Sequence, residues 1–538
     1  MPGERSLHPD YDLLIVGAGF AGLGMAIGLL REGRRDFVVL ERAGDLGGAW
    51  RDNRYPGCAC DIPSVLYSFS FAPNPDWSRI YPTQGEIWGY LHRLAETRGL
   101  LPFIRFGKAV VSMVFDEAAQ LWRVATADGD LLTARVVVTA AGGLSNPVVP
   151  AIEGAETFQG PMFHSARWDE AFASTGKRVA LIGAGASAIQ IAPALAPLAA
   201  RLHLFQRTPP WVIPRHDRAR KAWERRLFAA FPPVQALLRL GVYLGHEVRA
   251  VGFLGRIGIL KIAQRAALAH LRRGLPDPAK RAAATPDYVL GCKRVLISND
   301  YYPTLARDDV ELVTAPIARI TPKGIVTADG VERAVDAIVF ATGFAVQEPL
   351  QGIEVRGAGG RWLQGDWEQG GEAYLGITVA GYPNLFLLVG PNTGLGHNSM
   401  IFMIERQVRY VLRALGLMDR RRARAMAPDP EAQDRFSRAV QARAARTVWA
   451  RGGCRSWYLN AAGRNTTLWP GFTFAYAWAT RRVDPQAYRF DPPASCGDPG
   501  TGGAPEGQGA AGSRTKLSTS RHTVSAWRST KSRCQPSG

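Results

Sequence analysis

Two short glycine-rich segments carry the clearest chemistry in this chain: Gly17-Ala-Gly19-Phe-Ala-Gly22 and Gly183-Ala-Gly185-Ala-Ser-Ala188. In each, the first glycine permits a tight turn and the second lets backbone approach a pyrophosphate. The last small residue lets a helix pack closely on a strand. The helix start that follows offers unpaired N–H groups and positive potential to phosphate. Both segments read as dinucleotide sites. They differ in what closes the next apolar run. Glu41 closes the first, and its carboxylate suits the two hydroxyls of an adenosine ribose while repelling a 2′-phosphate, which selects FAD or NAD. Gln206 closes the second, followed by Arg207 and Thr208. A neutral residue beside a guanidinium fork suits a 2′-phosphate and selects NADPH. Further glycine loops, Gly47-Gly48-Ala49-Trp50, Arg54-Tyr55-Pro56-Gly57 and the distant Val389-Gly390-Pro391-Asn392, let backbone lie against a flat ring system. Gly48, Trp50 and Asn392 are therefore assigned to the first cofactor.

The flanking sequence supplies the elements these turns require. Residues 11–17 and 37–40 are apolar runs that predict buried strands, with helical character over 23–31 between them. The pattern restarts with a strand over 179–182, a helix over 189–198 and a strand over 202–205. Apolar runs at 135–140, 310–312, 324–326, 337–340 and 385–389 predict further strands. The expected fold class is α/β, with two Rossmann-like dinucleotide-binding domains and a helical insertion. The boundaries read as follows: 1–145, first part of an FAD domain; 146–216, linker and start of an NADP domain; 217–290, helical insertion; 291–344, the rest of the NADP domain; 345–490, the rest of the FAD domain; and 491–538, a Gly-, Pro- and Ser-rich tail expected to be disordered.

Composition narrows the partners. A hydrophobic content of 46% over 538 residues can bury more than one core, and excludes a wholly disordered chain. The formal charge of +19 suits phosphorylated cofactors, an anionic membrane or nucleic acid, but no nucleic-acid motif accompanies it. No apolar run is long enough to span a bilayer, and the N-terminus lacks secretory character. Cys58-Ala-Cys60 lacks the CxxC spacing of a redox pair, and six cysteines in a chain of this size do not make a disulfide scaffold, so a reduced, cytoplasmic protein is expected. Without a dithiol, electrons passed from a nicotinamide to a flavin would go to oxygen, a quinone or another protein.

Between the two glycine motifs lies Phe158-Gln-Gly160-Pro-Met-Phe-His164-Ser-Ala-Arg-Trp168-Asp169. This segment resembles the FxGxxxHxxxW[PD] fingerprint of flavin-containing Baeyer–Villiger monooxygenases, which are class B flavoprotein monooxygenases. Ala341-Thr342-Gly343 is similar to a segment shared by related two-nucleotide flavoproteins, and the resemblance covers roughly residues 10–490. It implies FAD, NADPH and molecular oxygen as cofactors and co-substrate, and an apolar ketone converted to an ester or lactone through a C4a-peroxyflavin, with sulfide oxidation as a side activity. By the same resemblance Asp61 is the active-site aspartate, Arg294 the catalytic cation, and Lys293 a contact to the NADPH 2′-phosphate. Phe158, Gly160, His164, Trp168 and Asp169 are implied to couple the domains, and Trp457, in an aromatic segment resembling one branch of the family, to line the substrate pocket or pack in the core. The insertion would cover the substrate tunnel; the other reading rests it on a membrane surface without stable insertion. Two functional alternatives stay open at this point: N- or S-oxygenation, and NADPH-dependent reduction of a quinone or protein acceptor.

Overall fold

The strand Tyr11–Val16 buries its last four residues and Phe37–Leu40 buries all four, the mark of parallel strands covered on both faces. These strands pair in parallel within an eight-stranded sheet. Its order runs Glu354–Arg356, Val110–Asp116, Leu121–Thr126, Leu131–Thr139, Tyr11–Val16, Phe37–Leu40, Ile104–Arg105, and Leu385–Leu387 also pairs with Leu131–Thr139. The chain, described by a computed structural model over residues 8–348 and 350–491, thus returns to its first sheet after a long excursion. The helix Met400–Arg421 seals that return by packing on Phe20–Arg31, where Gly28 leaves room for Val408 and Leu412.

The excursion forms a second, five-stranded sheet that is parallel throughout. Its order is Val310–Val313, Arg201–Phe205, Arg178–Ile182, Ala337–Phe340, Met162–His164. The fold is α/β with two dinucleotide-binding units. A three-stranded antiparallel sheet, over Ile317–Thr321, Gly324–Thr327 and Glu332–Ala334, is inserted in the second unit between Val310–Val313 and Ala337–Phe340. The insertion consists of four helices, Ala222–Ala230, Pro232–Phe253, Ile257–Gly274 and Pro278–Ala283. The expected disordered tail lies outside the described residues except for Asp491, which ends a strand, Tyr488–Asp491, paired with Ala425–Pro428.

The two glycine turns are built alike. Gly17 has φ +104° and a Cβ there would lie 2.8 Å from the Ala140 carbonyl oxygen; Gly183 has φ +130° and its Cβ would lie 2.3 Å from that of Ala341. Each turn is therefore pressed against the end of a neighbouring strand, the second by the Ala341-Thr342-Gly343 segment. The helix after the first turn is held closer still, because a Cβ on Gly22 would fall 1.9 Å from the Gly17 carbonyl oxygen. That contact cannot be relieved by a rotamer change. Gly22→Ala is expected to separate helix from turn at a cost of about 1–3 kcal/mol. The purified variant should carry less flavin per mole of protein, read from its visible absorbance.

Candidate active site

Arg294 and Asp61 meet from opposite halves of the chain. Asp61 follows the glycine loops of the first nucleotide unit, while Arg294 directly precedes the short strand Leu296–Ile297, which pairs with Val212–Ile213. Arg294 Nε donates to Asp61 Oδ2 at 2.9 Å, and Nη2 donates to Oδ1 at 2.7 Å and Oδ2 at 2.6 Å. The carboxylate's charge raises the guanidinium pKa above its ordinary value, so the cation is permanent. Nη1 is not engaged by Asp61, and 38% of the arginine side chain stays exposed. Tyr458, fully buried, lies within reach of both charges; burial pushes its hydroxyl up to about 12, with Arg294 opposing. Trp50 donates from its indole N–H to the Tyr67 hydroxyl at 3.0 Å, and burial raises that phenol's pKa.

The seam that holds Asp61 in register is made by one glutamine. Gln190, on the helix Ala188–Leu195 after the second glycine turn, accepts from the Tyr55 hydroxyl at 3.0 Å through Oε1 and donates through Nε2 to the Ala59 carbonyl at 3.0 Å. Gly57, at φ +82°, lets the loop come down on that helix, since a Cβ would stand 2.8 Å from the Gln190 carbonyl oxygen. No sequence motif singled out Gln190.

A cavity of about 430 Å³ gathers Arg207, Thr208 and Lys293 beside Asp287, Tyr288 and Arg455. The three residues assigned to the 2′-phosphate therefore converge although two come from the end of one strand and the third from a distant loop. Lys293 lies 5.0 Å from the centre of the Tyr288 ring. Its pKa is lowered by burial first and by the nearby Arg207 next, the electrostatic state of a site ready for an anion. Arg455 adds a cation that the motifs did not reveal. Gln206 turns away: it is buried, and its amide donates to the Ala283 carbonyl at 3.1 Å. Gly185 faces open space, so backbone there is approachable.

At the first nucleotide site Glu41 is already engaged. It accepts from the Ala18 N–H at 2.8 Å, the Ala43 N–H at 3.0 Å and the Arg51 guanidinium at 2.9 Å. The carboxylate's first task is to pin the glycine turn. Gly48, at φ +53°, starts the short helix Ala49–Asp52 that carries Trp50 and Arg51, and a Cβ on Gly19 would meet only the Gly48 Cα, at 3.8 Å. Asn392 has φ +57° and spends its amide hydrogens on the carbonyls of Asn465, at 2.8 Å, and Leu468, at 3.3 Å, so its nitrogen holds the C-terminal segment. The helix beyond it starts at Met400 rather than at once.

The long fingerprint is a piece of architecture. Its strand Met162–His164 joins the edge of the second sheet beside Ala337–Phe340, and the turn Ser165–Arg167 packs against the helix Ala49–Asp52. Gly160 admits the Asp336 carbonyl and the Phe158 ring. Trp168 stands edge-on to Phe163 at 5.1 Å, and Asp169 accepts the Ala171 N–H at 3.0 Å. His164 is buried, accepts from the Ala166 N–H at 3.0 Å through Nδ1, and sits edge-on to Phe344. Burial lowers its pKa.

Two expectations about the cysteines part company. Cys58 and Cys60 are free thiols whose pKa values burial raises, Cys58 to about 11, so neither is a thiolate nucleophile. Cys292 and Cys454 are disulfide-bonded, against the expectation of a fully reduced chain. They are 162 residues apart, and the Val289 N–H to Gly452 carbonyl bond that brings their loops together has no sequence signature. Trp457 is 43% exposed and stands edge-on to Tyr458, so the inward-facing ring of the pair is the tyrosine.

The chain matches the family model described as flavin-binding monooxygenase-like over residues 11–237. It is 48% identical over 475 residues to a Baeyer–Villiger monooxygenase of Pseudomonas aeruginosa, covering 88% of this chain and 90% of that one. It is also 48% identical to a Baeyer–Villiger monooxygenase of Streptomyces coelicolor, over 91% of this chain and 94% of that one. The solved structure of an oxidised steroid monooxygenase bound to NADP superposes with a TM-score of 0.81 at 33% identity, covering 89% of this chain and 99% of that one. Fold and site together define a two-nucleotide flavoprotein monooxygenase. Within that class the chain belongs to the Baeyer–Villiger monooxygenases, enzymes that use FAD, NADPH and oxygen to convert ketones to esters or lactones.

Two outcomes follow from this geometry. Arg207→Ala should raise KM for NADPH roughly tenfold or more and change NADH use less, measured by steady-state turnover with each. Because His164 has a depressed pKa in the fold, the unfolded chain binds its proton more readily. Its contribution to stability is full above about pH 6.5 and is lost as pH falls below it. Urea midpoints at pH 7.5 and 5.5 should therefore differ less in His164→Asn than in the unsubstituted protein.

Proposed function

We propose that Arg294 is the catalytic cation of this oxygenase and Asp61 the residue that orients it. What supports this reading most is the two-toothed ion pair spanning the two nucleotide-binding units, with one edge of the guanidinium left free. When bound, reduced FAD activates dioxygen for transfer to a ketone. The chain's own part is electrostatic. A fixed guanidinium donates hydrogen bonds to the substrate oxygen as the carbonyl becomes an alkoxide, and requires no reorganisation at that moment. Asp61 holds the fork in one orientation and tempers its field while hydride arrives. The half-buried ring of Tyr67 and the buried ring of Tyr458 beside the pair exclude water, which would otherwise divert the oxygen to hydrogen peroxide.

Arg207, Thr208, Lys293 and Arg455 hold the 2′-phosphate of NADPH, and the Gly183 turn holds its pyrophosphate. The Gly17 turn, Gly19, Gly22, Gly48, Trp50 and Asn392 cradle FAD, with residues 1–145 and 345–490 as its domain and 146–216 with 291–344 as that of NADP. The substrate is an apolar ketone. Arg294→Ala should retain flavin and its reduction by NADPH yet lose nearly all ester formation, followed as a one-oxygen mass increase across cyclic, linear, aryl and steroid ketones. Ester formation at the unsubstituted rate would remove Arg294 from this role.

A further inference from the structure

The insertion helix Pro232–Phe253 is built inside out. Over residues 235–247 its inward face is polar and hydrogen-bonded, while the last turn buries Ala250 and Phe253. Gln235 donates to the Asn74 carbonyl at 2.7 Å, Arg239 to the carbonyls of Val65 and Ser68 at 2.8 and 2.9 Å, and His246 Nδ1 meets the His397 carbonyl at 2.9 Å. Glu247 accepts from Asn398 at 2.6 Å and from the Thr473 N–H and hydroxyl at 2.9 and 2.8 Å. Its outward face is apolar. Val234, Leu237, Leu238, Leu244 and Val248 recur at three- and four-residue spacing, all exposed, Leu237 and Val248 to 70%. A surface helix of a water-soluble fold has the opposite polarity. From Val234 to Val248 the stripe runs about 21 Å along the helix. The apolar surface continues at both flanks: Phe231 and Trp223 precede it, and Phe474 and Trp478 stand exposed on the helix Thr473–Ala479, which Glu247 and Tyr243 fasten to it. Large apolar side chains exposed in this number on adjoining helices mark an interaction site.

The charge around the stripe selects its occupant. Glu247 is the one acid between residues 225 and 276, and it is buried. The exposed charges in that stretch of the insertion are cations, among them Arg249, which adjoins the stripe, and Arg256, Lys261 and Arg265 beyond it in the chain. On the other flank Arg406 covers the Phe402 ring, which itself stacks on Tyr243, and Arg481 covers Trp478 at 3.5 Å. A second copy would bring these cations face to face. Phospholipid headgroups of negative charge would meet them with opposite sign, while acyl chains meet the stripe. No single helix among the described residues is long and apolar enough to cross a bilayer, and Ala222–Ala230 joins Pro232–Phe253 at a bend of 109°. That shape lies on a membrane rather than through it.

We infer that the outer face of the insertion docks this enzyme peripherally on an anionic lipid surface. The inner face of the same helix is close enough to the active site for Asp61 to act on His246. Docking would therefore hold the enzyme beside the phase in which apolar ketones accumulate, a consequence that rests on the ketone reading; the docking itself does not.

Flotation of the full-length, flavin-loaded protein with vesicles tests the docking. Binding is expected to vesicles of phosphatidylcholine mixed with phosphatidylglycerol, to weaken as salt rises, and to be far weaker to phosphatidylcholine alone. The triple variant Leu237→Ser, Leu244→Ser, Val248→Ser should lose roughly a hundredfold in binding, with flavin content and turnover of a water-soluble ketone unchanged. Equal binding by the triple variant would assign the interaction to basic residues elsewhere and overturn the proposal. So would indifference to lipid charge, or a dimer by light scattering that this variant converts to monomer.

Discussion

The architecture depends on keeping one cation close to one carboxylate supplied from another part of the chain. Arg294 and Asp61 are 233 residues apart, and each stands at the end of a loop that its own nucleotide unit positions. An arginine left alone in this partly buried place would have no fixed direction. Paired through two nitrogens it has one, and a free edge besides. The seam at Gln190 and Gly57 brings the loop carrying Asp61 down onto the second unit. The disulfide from Cys292 and the short strand Leu296–Ile297 bracket the loop carrying Arg294. Helix, turn and crosslink converge on a single electrostatic object.

Much of this was legible because it obeys local rules. The glycine turns fall where steric contact with a neighbouring strand end leaves room for nothing larger, so their residue types reveal their place. The central parallel strands, Tyr11–Val16, Phe37–Leu40, Arg178–Ile182 and Ala337–Phe340, are buried over most of their length and read as plain apolar runs. Residue type and family resemblance singled out Arg207, Thr208 and Lys293 as expected phosphate ligands, and one cavity gathers them.

What the sequence hid was contact between segments with no pattern in common. Gln190 lies in an ordinary helix, and only the loop opposite gives it work. Arg455 and the Cys292–Cys454 bond depend on how the C-terminal segment folds back. Tyr458 was masked by the more conspicuous Trp457 beside it. The insertion helix hid something subtler: a helical period says that one face differs from the other, but not which face turns inward. Here the polar face does, because carbonyls and hydroxyls of three other segments are there to receive it.

The pairing of Glu41 with Arg51 alters how the first site tells its ligands apart. The acid at the strand end would by itself reject an extra phosphoryl group on the ribose through charge. With a guanidinium 2.9 Å away, the local charges nearly cancel. Discrimination there passes from long-range repulsion to stereochemistry, namely which hydroxyls can reach the carboxylate lone pair that Ala18, Ala43 and Arg51 leave over. Such a site should choose its adenosine nearly independently of ionic strength, unlike the cation-lined cavity proposed for the other nucleotide, where a grip on phosphate would weaken as salt is added.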